Sequence, residues 1–525
     1  MVERMGGFGV LSDMKKSIKK HIPAFIFLCL WVIPFTFLFI DFFNFEDVSN
    51  ILDPRTFRIL SFTIYQAVLS TLFSLIITFL PAYYASKSRG IISKLLDNSV
   101  FIPFFFPPVS AVVAFSLLYS STGILSKLGL KINVMYTLTG IILAHIFYNS
   151  PIFVRYISEG LKKIPKNFKE SAYIEGAGKF RTFLNIELPL IMPSISRAFF
   201  LVFTYNFMSF AIVLNIGGIK YSTLEVAIAN ALRGTFNFSK ALSYALIQLL
   251  ILATINVFMS KFEPITFDYE SESENKVGIF SQIISIIYLI FEYSIVIVGI
   301  VSAFFNFVTM KFDISGLINI FSKELNQRFP VIQSIFNSIF VSIISASLSV
   351  IVAYYLLKNY SKFTNVAVMS TLSISSAFLG MSLLYLNILF NISYFVLIIL
   401  GYFLITVPLS YSFLFQPVLS FDASIIESAK IDGASIIKIF SKIELPLLFP
   451  AFLSAFLQVF AIIYGEFTIG YTMQIRDFFP LVSIVNYTLS SSRLYLESNA
   501  LSAFNIVIVF FVFYLSNKLI KKGKN

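Results

Sequence analysis

Apolar residues in this chain do not alternate with polar ones; they run on. Stretches of mostly apolar residues lie near 22–43, 58–84, 99–120, 136–157, 190–216 and 239–260, and again near 279–306, 331–357, 364–388, 390–416, 447–472 and 500–518. A membrane-spanning helix needs roughly 20 such residues, and a spanning strand would show a period-two alternation that these runs lack. The pattern predicts an all-α membrane protein of about 12 transmembrane helices, six in each half.

Two polar stretches interrupt this pattern, and they are copies of each other. Residues 170–193 read ESAYIEGAGKFRTFLNIELPLIMP and residues 427–450 read ESAKIDGASIIKIFSKIELPLLFP, with Glu170 matching Glu427, Gly176 matching Gly433 and Pro189 matching Pro446. The chain is therefore a tandem duplication. An even number of spans per half gives both halves one orientation, so the repeats are parallel and imply a pseudo-twofold axis along the membrane normal with a solute path between them. The expected organisation is a first repeat at 1–261 carrying its loop at 161–189, an acidic linker at 262–278, and a second repeat at 279–525 carrying its loop at 418–446. Glu263, Asp268, Glu270, Glu272 and Glu274 mark the linker as solvated.

Residue types predict the build of each copied loop. In the second, Asp422 is an N-cap, a short helix follows through Ile431, and Gly433 supplies the left-handed position that ends it. A second short helix starts near Ser435, presents Ile436, Ile439, Phe440 and Ile443 at helical spacing, and is expected to stop at Pro446. The first copy repeats the plan, with Pro165 before the first helix, Gly176 at the turn, an apolar edge of Phe180, Phe183 and Leu184, and Pro189 at the end. A loop that only connects spans would be short, so a polar element kept in both halves points to a docking surface.

Composition agrees with the membrane reading. The chain is 57% hydrophobic and 13% charged, with 63 Phe, far from a soluble domain at roughly 45–50% and 25%. Most Lys and Arg residues fall in the tails (Arg4, Lys15, Lys16, Lys19, Lys20; Lys518, Lys521, Lys522, Lys524), the copied loops and the linker, which by the positive-inside rule makes both termini and both loops cytoplasmic. The net charge of +12 then reflects topology and contact with anionic lipid, with no nucleic-acid partner. Cys29 stands alone, and His21 and His145 are far apart, so no disulfide framework or metal site is expected. The basic N-terminus and long apolar run that follow each other at the start of the chain read as a retained first span.

Glu-Ser-Ala-x-x-x-Gly-x9-Ile-x-Leu-Pro, present twice, resembles the EAA motif in permease subunits of ATP-binding-cassette importers, with Ser171 and Ser428 where Ala is more usual. The resemblance covers essentially the whole chain and is to the fused, two-permeases-in-one-chain group that includes thiamine and ferric-iron importers. It implies the type I importer permease fold. It also implies ATPase-coupling roles for Glu170, Ala172, Gly176, Phe180, Phe183, Leu188 and Pro189, and for Glu427, Ala429, Gly433, Ile437, Phe440, Leu445 and Pro446. In such importers the loop after the Gly is a coupling helix seated in a cleft of the ATPase. The implied partners are two cytoplasmic ATPase subunits, an extracytoplasmic solute-binding protein and the bilayer of the cell membrane.

No cofactor is expected in this chain, and no enzyme activity: Gly178-Lys179 is followed by Phe180, and Tyr173 stands where a phosphate loop needs Gly. The rival reading is an ion-coupled secondary transporter, against which the duplicated loop and parallel repeat argue; an integral membrane enzyme lacks a His, Asp or Cys constellation in its spans. For the translocation path the candidates are Glu466, inside the eleventh run, and its counterpart Ser209, since a charge at the bilayer centre costs at least about 2.5 kcal/mol and normally faces a cavity or partner. A structural hydrogen bond is the other role open to Glu466. Arg197 reads as snorkelling to the cytoplasmic interface, and Phe104, Phe105 and Phe106 before Pro107-Pro108 as packing and a kink. The stretch Ser209–Arg233 resembles thiamine-type permeases more than ferric-iron ones.

Overall fold

A computed structural model describes residues 3–44, 53–99, 106–218, 220–259 and 278–522. The acidic linker, with Glu270, and Phe104 and Phe105 lie outside the described residues. The principal helices, in chain order, are α1 (Glu3–Phe42), α2 (Pro54–Lys87), α3 (Pro108–Tyr119), α4 (Leu138–Lys162), α5 (Lys166–Ile174), α6 (Lys179–Thr182), α7 (Leu188–Phe207), α8 (Leu224–Thr235) and α9 (Phe238–Met259). The second half continues with α10 (Ile279–Val301), α11 (Val331–Lys358), α12 (Ser376–Phe390), α13 (Tyr394–Leu419), α14 (Ala423–Ile431), α15 (Ile436–Ile439), α16 (Leu445–Gly465), α17 (Thr468–Thr472), α18 (Val482–Ser491) and α19 (Tyr495–Lys522).

Among the described residues, 10 helices are long and apolar enough to cross a membrane. The two expected spans missing from that set have physical explanations. The fourth is α4, whose 25 residues include His145, Asn149, Ser150, Arg155 and Glu159, which lower its hydropathy. The ninth is a pair of helices, Lys362–Ser373 and Ser376–Phe390, bent by 88°. The bend falls at Ile374-Ser375, where the Ser375 hydroxyl accepts the N–H of Phe378 and starts a new helix. The expected kink at Pro107-Pro108 is also absent in that form: Pro108 opens α3 at its first position, where a missing N–H costs nothing.

The compact units do not follow the sequence repeat. One unit comprises Asn44–Val331 and Ser483–Val507; the other comprises Met1–Phe43, Ile332–Val482 and Ile508–Asn525. The first helices of the two repeats are thus exchanged, α1 packing with second-repeat helices and α10 with first-repeat helices. The linear division near 261–279 describes the duplication and not the packing. In the second unit, α1 buries Phe27, Trp31, Phe35 and Leu38, sets Phe35 against Phe378 at 4.5 Å between ring centroids, and receives a hydrogen bond on Asp41 from the Tyr385 hydroxyl. In the first unit, α10 lays Gly299 against Phe106, Ala114 and Ile506, where an added Cβ would lie 2.9 Å from Ile506.

Polar side chains pin the first unit's helices together, as expected where lipid offers no hydrophobic drive for helix association. Asn206 on α7 donates to Thr71 on α2 at 3.0 Å and accepts from Asn149 on α4 at 2.7 Å, while its carbonyl accepts from Gln66 at 2.9 Å. His145 Nδ1 and Ser70 Oγ share a hydrogen bond of 3.0 Å.

Candidate docking and coupling site

Each copied loop folds as a short helix, a tight turn and a second short helix. In the second copy, the Asp422 carboxylate accepts the Ser424 N–H at 2.9 Å and caps α14, and these bonds hold Asp422 below the usual carboxylate range. Gly433 has φ +78° and Gly176 has φ +83°. Around each glycine the same two bonds close the helix: Gly176 N–H to Tyr173 O with Ala177 N–H to Ala172 O, and Gly433 N–H to Lys430 O with Ala434 N–H to Ala429 O. This is a Schellman end, which needs a left-handed residue at the turn. It also explains the alanine of the motif: Ala172 and Ala429 are buried, and their carbonyls receive the closing bond. Ser435 then caps α15 by accepting the Lys438 N–H.

The second short helix does not stop at the proline. It passes through a π-helical segment, Phe183–Glu187 in the first copy and Phe440–Glu444 in the second, directly into α7 or α16. Pro189 and Pro446 sit at the start of those spans. A proline lacks an N–H and crowds the carbonyl four residues back, and the wider π turn accommodates both without ending the helix.

The turn leaves an apolar edge in water. Ile174 is 87% exposed and Phe180 75% in the first copy; Ile431 is 86%, Ile436 83% and Ile437 78% in the second. Large apolar groups are thus exposed at matching positions of the two elements, Ile174 with Ile431 and Phe180 with Ile437. Glu170 and Glu427 are also exposed, Phe183 is half-buried, and Leu188, Pro189, Phe440, Leu445 and Pro446 lie partly or largely open at the foot of the spans.

The buried side of each element carries charges absent from the sequence-based site. Glu187 and Glu444, the variable residue of Ile-x-Leu-Pro, are both buried. In the first unit Lys87, the last residue of α2, places its Nζ 2.7 Å from Glu187 Oε1, and Lys169 reaches the same oxygen at 3.0 Å. Burial, with the Lys87 ammonium beside it, holds Lys169 below the ordinary lysine value. In the second unit Lys358, the last residue of α11, and the Tyr354 hydroxyl both donate to Glu444. Aromatics complete both clusters: Tyr83 and Tyr354 stand 5.6 and 5.8 Å below the lysine ammonium, and each ring lies 5.7 Å from Phe183 or Phe440. The sequence signal was present, since Ala-Tyr-Tyr-x-x-Lys occurs at 82–87 and again at 353–358.

The translocation-path candidates sit at helix breaks. α16 ends at Gly465, and the Glu466 carboxylate accepts the N–H groups of Thr468 at 2.8 Å and Ile469 at 3.1 Å, capping α17. Glu466 is therefore at a break and not within a continuous helix. Ser209 lies just past the end of α7, with its N–H directed to Asn206 O at 3.4 Å. Glu466→Ala should cost about 1 kcal/mol through the lost cap, whereas Glu466→Gln keeps an acceptor and should leave the melting temperature in detergent unchanged. Arg197 is exposed on α7. A further buried carboxylate that sequence reasoning passed over is Glu292 on α10, which accepts from Ser150 Oγ at 3.4 Å. An acid in so apolar a run was the available signal. Among the described residues, no three His, Cys, Asp or Glu side chains gather as a metal site.

These features, an all-helical membrane chain with two helix-turn-helix elements at the foot of its spans, define a transport permease component. The chain belongs to the family of binding-protein-dependent transport system inner membrane components, whose model matches residues 77–266. It is 30% identical over 218 residues to the probable transport system permease protein NifC of Clostridium pasteurianum, covering 39% of this chain and 76% of that one. It is 31% identical over 223 residues to the thiamine transport system permease protein ThiP of Brucella suis, covering 40% of each chain. A probable sulfate transport system permease protein, cysT of Prototheca wickerhamii, is 28% identical over 174 residues, covering 33% of this chain and 68% of that one. The match thus spans two-fifths of the length of the Brucella relative.

Proposed function

We propose that this chain is the membrane-spanning, solute-translocating subunit of an ATP-driven importer. Both halves of the path are supplied by one polypeptide, and ATP hydrolysis comes from two separate cytoplasmic ATPase subunits. The observation that carries this reading is the pair of elements α5–α6 and α14–α15, each with an exposed apolar edge and an exposed glutamate, Glu170 or Glu427. In the proposed complex the edge fills an apolar cleft of an ATPase and the glutamate meets a basic group. Solute arrives from an extracytoplasmic binding protein, which carries most of the selectivity. Thiamine is the first solute to test, because the name of the Brucella relative specifies it, and chelated ferric iron the second.

The placement of the elements beside cytoplasmic ATPases requires both termini inside the cell membrane. Reporter fusions after Lys276 and at Asn525 should give cytoplasmic signals, and an external signal at either would contradict the arrangement. Co-purification tests the docking itself. A tagged chain should bring down an ATPase, and Glu170→Lys with Glu427→Lys should lose it while membrane abundance stays normal, because repulsion replaces attraction at the surface. Retention of the ATPase by the double reversal would remove the assigned role of the glutamates.

A further inference from the structure

The covalent route from each docking element into the membrane is mechanically weak. Between α6 and α7, and between α15 and α16, the chain passes through a π segment followed two residues on by a proline in the first turn of the span. Such a junction lacks part of the regular hydrogen-bond ladder and is where helices bend. A second, non-covalent route runs beside it. The last residue of that π segment, Glu187 or Glu444, is tied to the final lysine of the second helix of the repeat, Lys87 of α2 or Lys358 of α11. The tie is buried on its acidic side and braced by Tyr83 and Phe183 in one unit and by Tyr354 and Phe440 in the other.

What the two units share is informative. The third group on the carboxylate differs: it is Lys169 in the first unit, whereas Ile426 holds the matching place in the second and the Tyr354 hydroxyl takes over. Lysine, glutamate, tyrosine and phenylalanine are retained at all the matching places. A contact needed only to fill space or satisfy one charge would not require the same four residue types at both feet of a diverged duplication.

We propose that Lys87–Glu187 and Lys358–Glu444 are the joints that carry motion of the docking elements into α2 and α11. The four residues are positioning residues, and the assignment rests on the importer reading given above. The charge-assisted hydrogen bond gives each docking element a second link to its unit, beside the π segment and to a different helix. Displacement of a docking element is therefore delivered to two helices of its unit, one through the backbone and one through the pair.

The duplication provides an internal control for the test. Hydrogen–deuterium exchange is measured on the complex of the full chain with its ATPase, purified through a tag on this chain, without and with ATP and vanadate. In the unaltered complex, nucleotide should shift exchange in both docking elements and in both α2 and α11. In Glu444→Gln, chosen because Lys358 still reaches solvent, the shift should persist at 423–444 and in α2 but be lost in α11. The reversed pair Lys358→Glu with Glu444→Lys should restore it. A normal α11 shift in Glu444→Gln would overturn the proposal. So would joint loss of the shift at 423–444 and in α11 without restoration by the reversed pair, since the pair would then only hold the fold. Absence of any shift at 166–187 and 423–444 in the unaltered complex would instead overturn the importer reading, and the proposal with it.

Discussion

Replacing Gly176 and Gly433 by proline is expected to abolish co-purification of the ATPase while the chain still inserts in the membrane. The two glycines stand at φ +83° and +78°, and proline is confined near −65°. Each glycine N–H also donates the bond that closes its helix, to Tyr173 or Lys430, and proline has no N–H to give. The combined cost of about 3 kcal/mol or more exceeds what a nine-residue surface helix can supply from its own propensity, so the turn unwinds and the apolar edge is lost. Alanine distinguishes backbone from crowding. An added Cβ at either position meets nothing within 4 Å, so Gly→Ala carries only the left-handed penalty of about 1–2 kcal/mol and should weaken docking without eliminating it. Equal loss with alanine and proline would mean that space, not backbone conformation, is what the glycines provide.

Glu187→Ala is expected to be the most destabilising single change at either foot. It leaves Lys87 and Lys169, whose side chains are 10% and 9% exposed, without their counter-ion. Removing one partner of a buried pair typically costs about 3–5 kcal/mol, because the remaining charge is stranded. Glu444→Ala should cost less, about 1–3 kcal/mol, since Lys358 is 35% exposed and can turn to water, leaving chiefly the Tyr354 hydroxyl without its acceptor. Melting temperatures of the detergent-purified variants check the order. A larger drop for Glu444→Ala than for Glu187→Ala would contradict the difference in burial on which the estimate stands.

The spans were legible in the sequence because a run of apolar residues long enough to cross a bilayer has few other uses. The helix-turn-helix build of the copied loops was legible because Asp422, Gly176 and Gly433 each have a specific backbone job that few residue types perform. The exchange of α1 and α10 was not legible. Both are apolar on most faces, and nothing in an apolar pattern says which repeat a helix will pack against. The proline was misread as a stop because its effect depends on the turn before it, and a π segment removes the clash that would end an α-helix. Glu187 and Glu444 escaped because a motif written Ile-x-Leu-Pro treats the charged position as free, and their lysines lie on helices far away in sequence. Glu466 does lie within the candidate span Ile436–Thr472, as hydropathy placed it, but hydropathy cannot show that Gly465 ends one helix there and Glu466 caps the next.

The central claim, ATP-driven import through this chain, is tested most directly by uptake into proteoliposomes that contain the complex purified through it. Thiamine is supplied first and chelated ferric iron second, each with its binding protein. Uptake should require ATP, persist when ion gradients are collapsed, and be lost in Glu170→Lys with Glu427→Lys. Uptake by this chain alone, without ATP or ATPase and driven by an imposed ion gradient, would contradict the account.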